Sequence, residues 1–465
     1  MIGIFLLGLI GLGIMVFVHE LGHFVAAKAN GVAVETFSLG WGPRMVGFKR
    51  GGTVYQISWF PIGGFCKMKG EITPGVAGGG PAQADAGQGT GGSFNAAAPW
   101  RRIVISAAGP VFNLAFAAII LSLIWWAGFS VPSYDNRIVL ATDYAPQSST
   151  QPPPATVAGL KTGDQIMEIN GHQVRNFQDI REAVSVSPKS RLIFRVSRNV
   201  DGTAQKLDIA IMPRLDKDTG AGQIGILPWV DPVVDSVRPG SAASIAGLQK
   251  GDLILAAGGN PVRNIWDLMP VLSSSPGKAT IVYARQGAEH SALLVFERDT
   301  ALGFDFAEKT LGVGFAEKEY PSPKLGLAGA VERGLADTWN YVTLTVKGFG
   351  LLFQGINLRN AIAGPLKITY YIGSAAASGF QVGFRAGLVS SFQLLAFLSV
   401  VLFLMNLLPI PAMDGGQIIL FLVEIARGRA VPARVFWRIQ IIGFSILIGL
   451  IAVVTLNDIL SFPGR

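Results

Sequence analysis

Cysteine occurs once in these 465 residues, at Cys66, which excludes an internal disulfide and leaves the redox compartment open. Histidine is scarce as well, with four residues, His19, His23, His172 and His290. Charged side chains make up only 15% of the chain while 50% of it is hydrophobic, a balance that points to a membrane protein. The net charge of +8 would suit a nucleic-acid partner only if the basic residues gathered with aromatics into a patch. They flank apolar runs instead, as membrane topology requires, so no nucleic acid is expected. The N-terminus lacks a charged leader region and a small-residue cleavage pattern, and no removable signal peptide is expected.

Crossing about 30 Å of hydrocarbon takes about 20 apolar residues. Four charge-free runs meet that need: Met1–Val18, continuing through the motif below, Ile103–Tyr134, Ala386–Met413 and Ile439–Asn457. Between Lys28 and Arg102 stand eight Lys/Arg against three acids, and between Gly415 and Arg438 four Arg against one acid. Both segments therefore read as cytoplasmic, which places residues 135–385 outside. Within that region, 325–355 and Ile368–Phe384 read as helices on the membrane surface or packed against spans. The segment Ile72–Pro99, rich in Gly, Ala and Gln, has too few large apolar residues to fold and reads as a mobile loop.

The first apolar run ends in His19-Glu20-Leu21-Gly22-His23. This HExxH spacing sets two imidazoles one helical turn apart on one face, able to bind one zinc, with the intervening Glu as general base on a bound water. A chance motif, or two core histidines bonded to carbonyls, would leave Glu20 unexplained inside a membrane span, where ionisable groups are functional by default. A catalytic zinc needs a third protein ligand. The third run closes on Asn406-Leu407-Leu408-Pro409-Ile410-Pro411-Ala412-Met413-Asp414-Gly415-Gly416, with Asp414 its first carboxylate. Alone, Asp414 would read equally well as a helix cap at the membrane surface. The shared cytoplasmic end of the first and third runs favours the ligand reading.

These paired motifs resemble the site-2 protease family of intramembrane zinc metalloproteases, in its bacterial branch. Pro61-Ile62-Gly63-Gly64-Phe65, Phe94-Asn95 followed by Arg102, and Ala108-Gly109-Pro110-x-x-Asn113 match in order, so the likeness covers nearly the whole chain. The resemblance implies Zn2+ on His19, His23 and Asp414, Glu20 as general base, and Asn406 and Asn113 as substrate-binding positions. Met413 stands where the family usually has Leu, and Gln417 where a His often follows the diglycine, so no fourth ligand is expected there.

A transmembrane helix hides its peptide bonds, so cleavage needs local unwinding and a partner for the freed strand. Met45–Phe48, a turn Lys49-Arg50-Gly51-Gly52, and Thr53–Phe60 read as a hairpin. The family likeness makes it a re-entrant element pairing with substrate by strand addition, for which Gly51, Val54 and Gln56 are the candidates.

Residues 158–179 and 246–267 repeat at an offset of 88: Ala158-Gly159-Leu160 with Ala246-Gly247-Leu248, Gly163-Asp164 with Gly251-Asp252, Val174-Arg175-Asn176 with Val262-Arg263-Asn264, and Asp179 with Asp267. The pattern resembles tandem PDZ domains, with Gly225 in one carboxylate-binding loop and Leu311-Gly312-Val313-Gly314 as its counterpart. Such domains would bind a trimmed C-terminus or, with more weight, exclude bulky substrates by size. His172 and His290 read as surface residues without a metal.

The expected fold is a polytopic helical membrane protein. A first span (1–27) precedes a cytoplasmic region with the hairpin (28–100) and a second span (101–133). Two PDZ domains (134–220, 221–320) and membrane-surface helices (321–385) follow, then a third span (386–413), a loop (414–436) and a fourth span (437–459). The expected function is zinc endopeptidase in a bacterial inner membrane, in contact with its lipid. It would cut single-pass membrane proteins, anti-sigma-factor-like substrates by resemblance, after a first protease has acted. A PDZ scaffold binding such clients uncut is the alternative, which Glu20 disfavours. A metal transporter lacks the inverted repeat of spans.

Overall fold

The computed structural model describes residues 2–71, 91–144, 151–200, 202–297, 305–352 and 363–461. Two compact units make up the chain, Met1–Phe129 with Ser322–Arg465, and Ser130–Pro321.

Among the described residues of the first unit, four helices are long and apolar enough to cross a membrane: Ile2–Ala29, Pro99–Ala127, Phe384–Asn406 and Ala433–Leu460. The first exposes Ile2, Leu6, Ile10, Phe17 and Val25 along one face, an apolar surface that suits lipid. The spans end where backbone chemistry stops them rather than where the apolar runs stop. The second ends at Ala127, because Gly128 turns the chain at φ 70° and Ser130–Ser133 is already a strand. The third ends at Asn406 and not at Met413; Pro409 and Pro411 have no amide hydrogen for a helix, and helix resumes over Asp414–Arg427.

Leu327–Leu352 and Pro365–Val382 are helices packed on these spans. A Cβ at Gly8 would stand 1.9 Å from the Thr369 carbonyl oxygen, and one at Gly373 1.7 Å from that of Ile4. The first span and Pro365–Val382 thus touch backbone to backbone, the contact small residues permit between apolar helices. Most of the expected 72–99 loop lies outside the described residues; Pro99 already opens the second span.

Strands Val34–Arg50 and Thr53–Met68 form a longer hairpin than the Met45–Phe60 pattern suggests, turning at Gly51 (φ 57°) and Gly52 (φ 83°). The two arms fold over. Thr36 pairs with both Val54 and Lys67, and Ser38 with both Gln56 and Phe65. Segment 53–58 therefore lies between 34–39 and 44–50, and among the described residues segment 64–68 has strand pairing on one side only.

The second unit holds two four-stranded antiparallel sheets of the same order. One runs His172–Gln173, Gln165–Ile169, Leu192–Val200, Thr203–Ile211; the other Asn260–Pro261, Leu253–Ala257, Lys278–Arg285, Ala288–Val295. The repeated residues are structural. Asn176 accepts from the Asp179 amide and Asn264 forms a capping box with Asp267, each starting a helical segment. Asp164 takes a two-pronged ion pair from Arg198, and Asp252 from Arg285 at 2.7 Å on both prongs. Ile224, past the expected 220/221 division, belongs to the first module's core with Ile166, Ile180 and Phe194.

Two hydrogen bonds from Arg285 hold the fully buried Asp252 carboxyl below its ordinary range. Its stabilisation is present above the ordinary carboxylate pKa near 4 and is lost as pH falls through the lower folded value. We expect Arg285→Met to destabilise this module, because it leaves the buried Asp252 carboxylate without its two-pronged partner. Limited proteolysis of the full chain checks it: cutting within 233–297 should accelerate in the variant at pH 7, and in the wild type only below about pH 4. Equal resistance of both chains would refute the pair's importance.

Candidate active site

The first span carries His19, Glu20 and His23 on adjoining positions of one helix, so its pitch alone brings the imidazoles together. Their Nε2 atoms stand 3.2 Å apart. Asp414 closes the triangle, with Oδ2 3.3 Å from His19 Nε2 and Oδ1 3.5 Å from His23 Nε2. Ligands at the corners of a tetrahedron with bonds of about 2.0–2.1 Å stand about 3.3 Å apart. The three side chains thus match one face of such a site, and nitrogen and carboxylate donors suit zinc.

Asp414 is held there by the broken backbone before it. Ala412 adopts φ 75°, a left-handed conformation uncommon for a side-chain-bearing residue. A Cβ at Gly415 would meet the Leu407 and Leu408 oxygens at 2.3 and 2.4 Å, and one at Gly416 the Ile410 oxygen at 2.3 Å. The diglycine lets the Leu407–Met413 loop fold flat against the helix that Asp414 begins. Farther along that helix, buried Glu424 pairs with Arg102 of the second span and accepts from the Val431 amide. Arg102 also lies over Phe421, against which Phe94 packs edge-on. This cluster explains the Phe94 and Arg102 matches.

The second span orients both rings. His23 Nδ1 donates to the Ile105 carbonyl at 2.9 Å, and the Asn113 amide lies 3.2 Å from His19 Nδ1. With Nε2 turned to a metal, Nδ1 carries the proton, and Asn113 meets it through Oδ1 once the amide's two ends are exchanged. That exchange also gives a partner to Asn113 Oδ1, otherwise buried without one. Asn113 is thus fully buried against a ring and absent from the cavity lining, where a substrate-binding residue would be expected. Between the rings the second span has no side chain: a Cβ at Gly109 would lie 2.3 Å from His23 Nε2 and 2.8 Å from His19 Cε1.

A cavity opens on this triangle, lined by His19, Glu20, His23 and Asp414 together with Asn406, Gln417, Gln440 and the strand Gly64–Met68. Glu20 accepts a hydrogen bond from the Cys66 backbone amide, and a Cβ on Gly64 would press Val16 at 2.9 Å and the Glu20 side chain at 3.3 Å. Gln417 accepts from Ser106 at 3.4 Å. The hairpin candidates differ from expectation. Val54 and Gln56 sit on the segment paired on both sides, Gln56 bonding Ser38 and Ser58, and Gly51 is in the distal turn. A strand with both edges paired has no room for another; the edge that faces the cavity is 64–68.

In the second unit Gly225 (φ 80°) packs on Pro153 and Gly312 (φ 70°) on Ser241, equivalent places in the two modules. His172 and His290 are exposed.

The description "Peptidase family M50" matches residues 7–450. The chain belongs to this family, the site-2 proteases. It is 35% identical over 98% of both chains to a protein named a zinc metalloprotease in Treponema pallidum (strain Nichols). It is 30% identical over 97% of both to the regulator of sigma-E protease RseP of Escherichia coli (strain K12). A third relative, named a zinc metalloprotease in Borreliella burgdorferi, is 28% identical over 96% of this chain and 95% of its own. As a site-2 metalloprotease, the chain gives meaning to side chains its motifs leave unassigned. Glu424 and the 64–68 edge left no signal in spacing. Gly109 did, as a glycine inside an apolar helix beside Pro110.

Proposed function

We propose that this protein is an intramembrane zinc endopeptidase. It cuts single-pass membrane proteins within or near their span, with its active site toward the cytoplasmic side of a bacterial inner membrane and the Ser130–Pro321 unit outside. The observation that carries this reading is the His19–His23–Asp414 triangle beside Glu20 on an apolar helix, its ligand atoms all within 4.8 Å of one another. His19, His23 and Asp414 would hold the zinc, which when bound would supply Lewis acidity for the scissile carbonyl and lower the pKa of a water. Glu20 takes the proton of the attacking water and returns it to the leaving amine. Ile105 and Asn113 hold the imidazoles in the tautomer that frees both Nε2 atoms. Asn406 borders the substrate. The substrate strand adds to edge 64–68, where backbone groups freed by unwinding find partners that hydrocarbon does not offer.

The hairpin dips into the membrane through exposed Met45, Val46, Phe48, Ile57, Trp59 and Phe60, which anchor it among lipids. The repeated modules are PDZ domains, Gly225 and Gly312 marking their carboxylate loops, and act first as a size filter. The sigma-E name of a relative favours membrane-bound transcriptional regulators as substrates.

The test is cleavage of a tagged single-span fusion by the purified protein in detergent. Cutting should stop with a zinc chelator and return when zinc is restored. Cutting unaffected by chelation would overturn the metal's role.

A further inference from the structure

Gln440 lies about two helical turns into the fourth span, is 1% exposed, and its Nε2 has no hydrogen-bond partner among the described residues. It lines the cavity of the metal triangle, followed on the same helix face by Phe444 and Leu447. Its place is fixed by the next turn: a Cβ at Gly443 would stand 2.2 Å from the Pro411 oxygen, so this span rests on the loop that positions Asp414. A buried amide donor without an acceptor destabilises the free protein and calls for a reason.

The substrate supplies one. Along an extended strand, backbone groups point alternately to the two sides. Edge 64–68 serves one side, and carbonyls on the other lose their helical partners on unwinding and find no water. We propose that Gln440 is a substrate-binding residue, its Nε2–H donating to a carbonyl of the unwound substrate on the side away from edge 64–68. Phe444 and Leu447 then face the neighbouring substrate side chains. This rests on the protease reading above.

The test compares wild type with Gln440→Met, which keeps length and removes the donor. The probe is a tagged single-span fusion carrying a central Gly-Pro pair. We expect cleavage to fall about tenfold, zinc content to stay the same, and the melting temperature of the full chain in detergent to hold or rise. A donor that served the fold would instead lower melting and cleavage together, overturning the proposal, as would unchanged cleavage. If zinc-loaded wild type fails to cut, the protease reading fails, and capture of the same fusion decides Gln440. Equal capture by Glu20→Gln and by Glu20→Gln/Gln440→Met would overturn its role; weaker capture by the double variant would uphold it.

Discussion

Replacing Glu20 by Gln should lower cleavage about 10³-fold, within the 10²–10⁴ range of general acid–base catalysis, while zinc stays bound. Gln has the same shape and keeps an oxygen for the Cys66 amide, the bond that ties the side chain to the hairpin edge. The three candidate ligands are untouched, and their geometry does not pass through Glu20. Only the ability to take a proton is removed. The measurement is initial cleavage rate beside zinc content by mass spectrometry, with capture of uncut substrate as a third reading. Rate loss with metal and substrate retained assigns Glu20 as the base. A rate within a factor of two of wild type would remove it from that role, and loss of zinc would make it a structural support.

Gly109→Ala should weaken zinc binding about 10–100-fold, the scale on which disturbed supports of metal ligands act, and take cleavage down with it. The new methyl would fall 2.3 Å from His23 Nε2 and 2.8 Å from His19 Cε1, so the rings must shift, and turning His23 away strains its bond to the Ile105 carbonyl. Ordinarily Gly to Ala inside a helix is favourable by up to 1 kcal/mol, so this substitution isolates the contact. Gly13→Ala is the matched control, since nothing lies within 4 Å of a Cβ there. Zinc titration with a competing chelator checks both. Equal affinities in the two variants would mean the rings have room that the geometry denies them.

The meeting of His19, His23 and Asp414 was legible because local rules place each part. HExxH needs only helical pitch, and Asp414 announces itself as a carboxylate after Pro409 and Pro411. The spans were legible in outline, but their ends were not, since Gly128 and the two prolines stop helices inside apolar runs. The repeated Asn176/Asp179 and Asn264/Asp267 were visible as a pattern. Arg198 and Arg285, the partners of the repeated Asp164 and Asp252, were not, because they stand 87 residues apart and a fixed offset of 88 passes over them. The hairpin candidates failed for a topological reason: alternation along Thr53–Phe60 does not reveal that the arms fold twice and bury that segment between neighbours. Gln440 was hidden as well, because a polar residue near the end of a span reads as an interfacial one until the cavity beside it is known.

Edge 64–68 offers backbone groups, and backbone groups are common to every polypeptide. Recognition through them is indifferent to side-chain identity and sensitive to how readily a helix gives up its own bonds. One Ala-to-Gly change in a helix shifts that balance by about 1 kcal/mol, close to fivefold in the unwound population. Under the proposed strand addition, selection would be a measurement of local helix strength: a span with a weak turn at the right depth would be chosen, and a uniformly strong one of the same hydrophobicity would pass untouched.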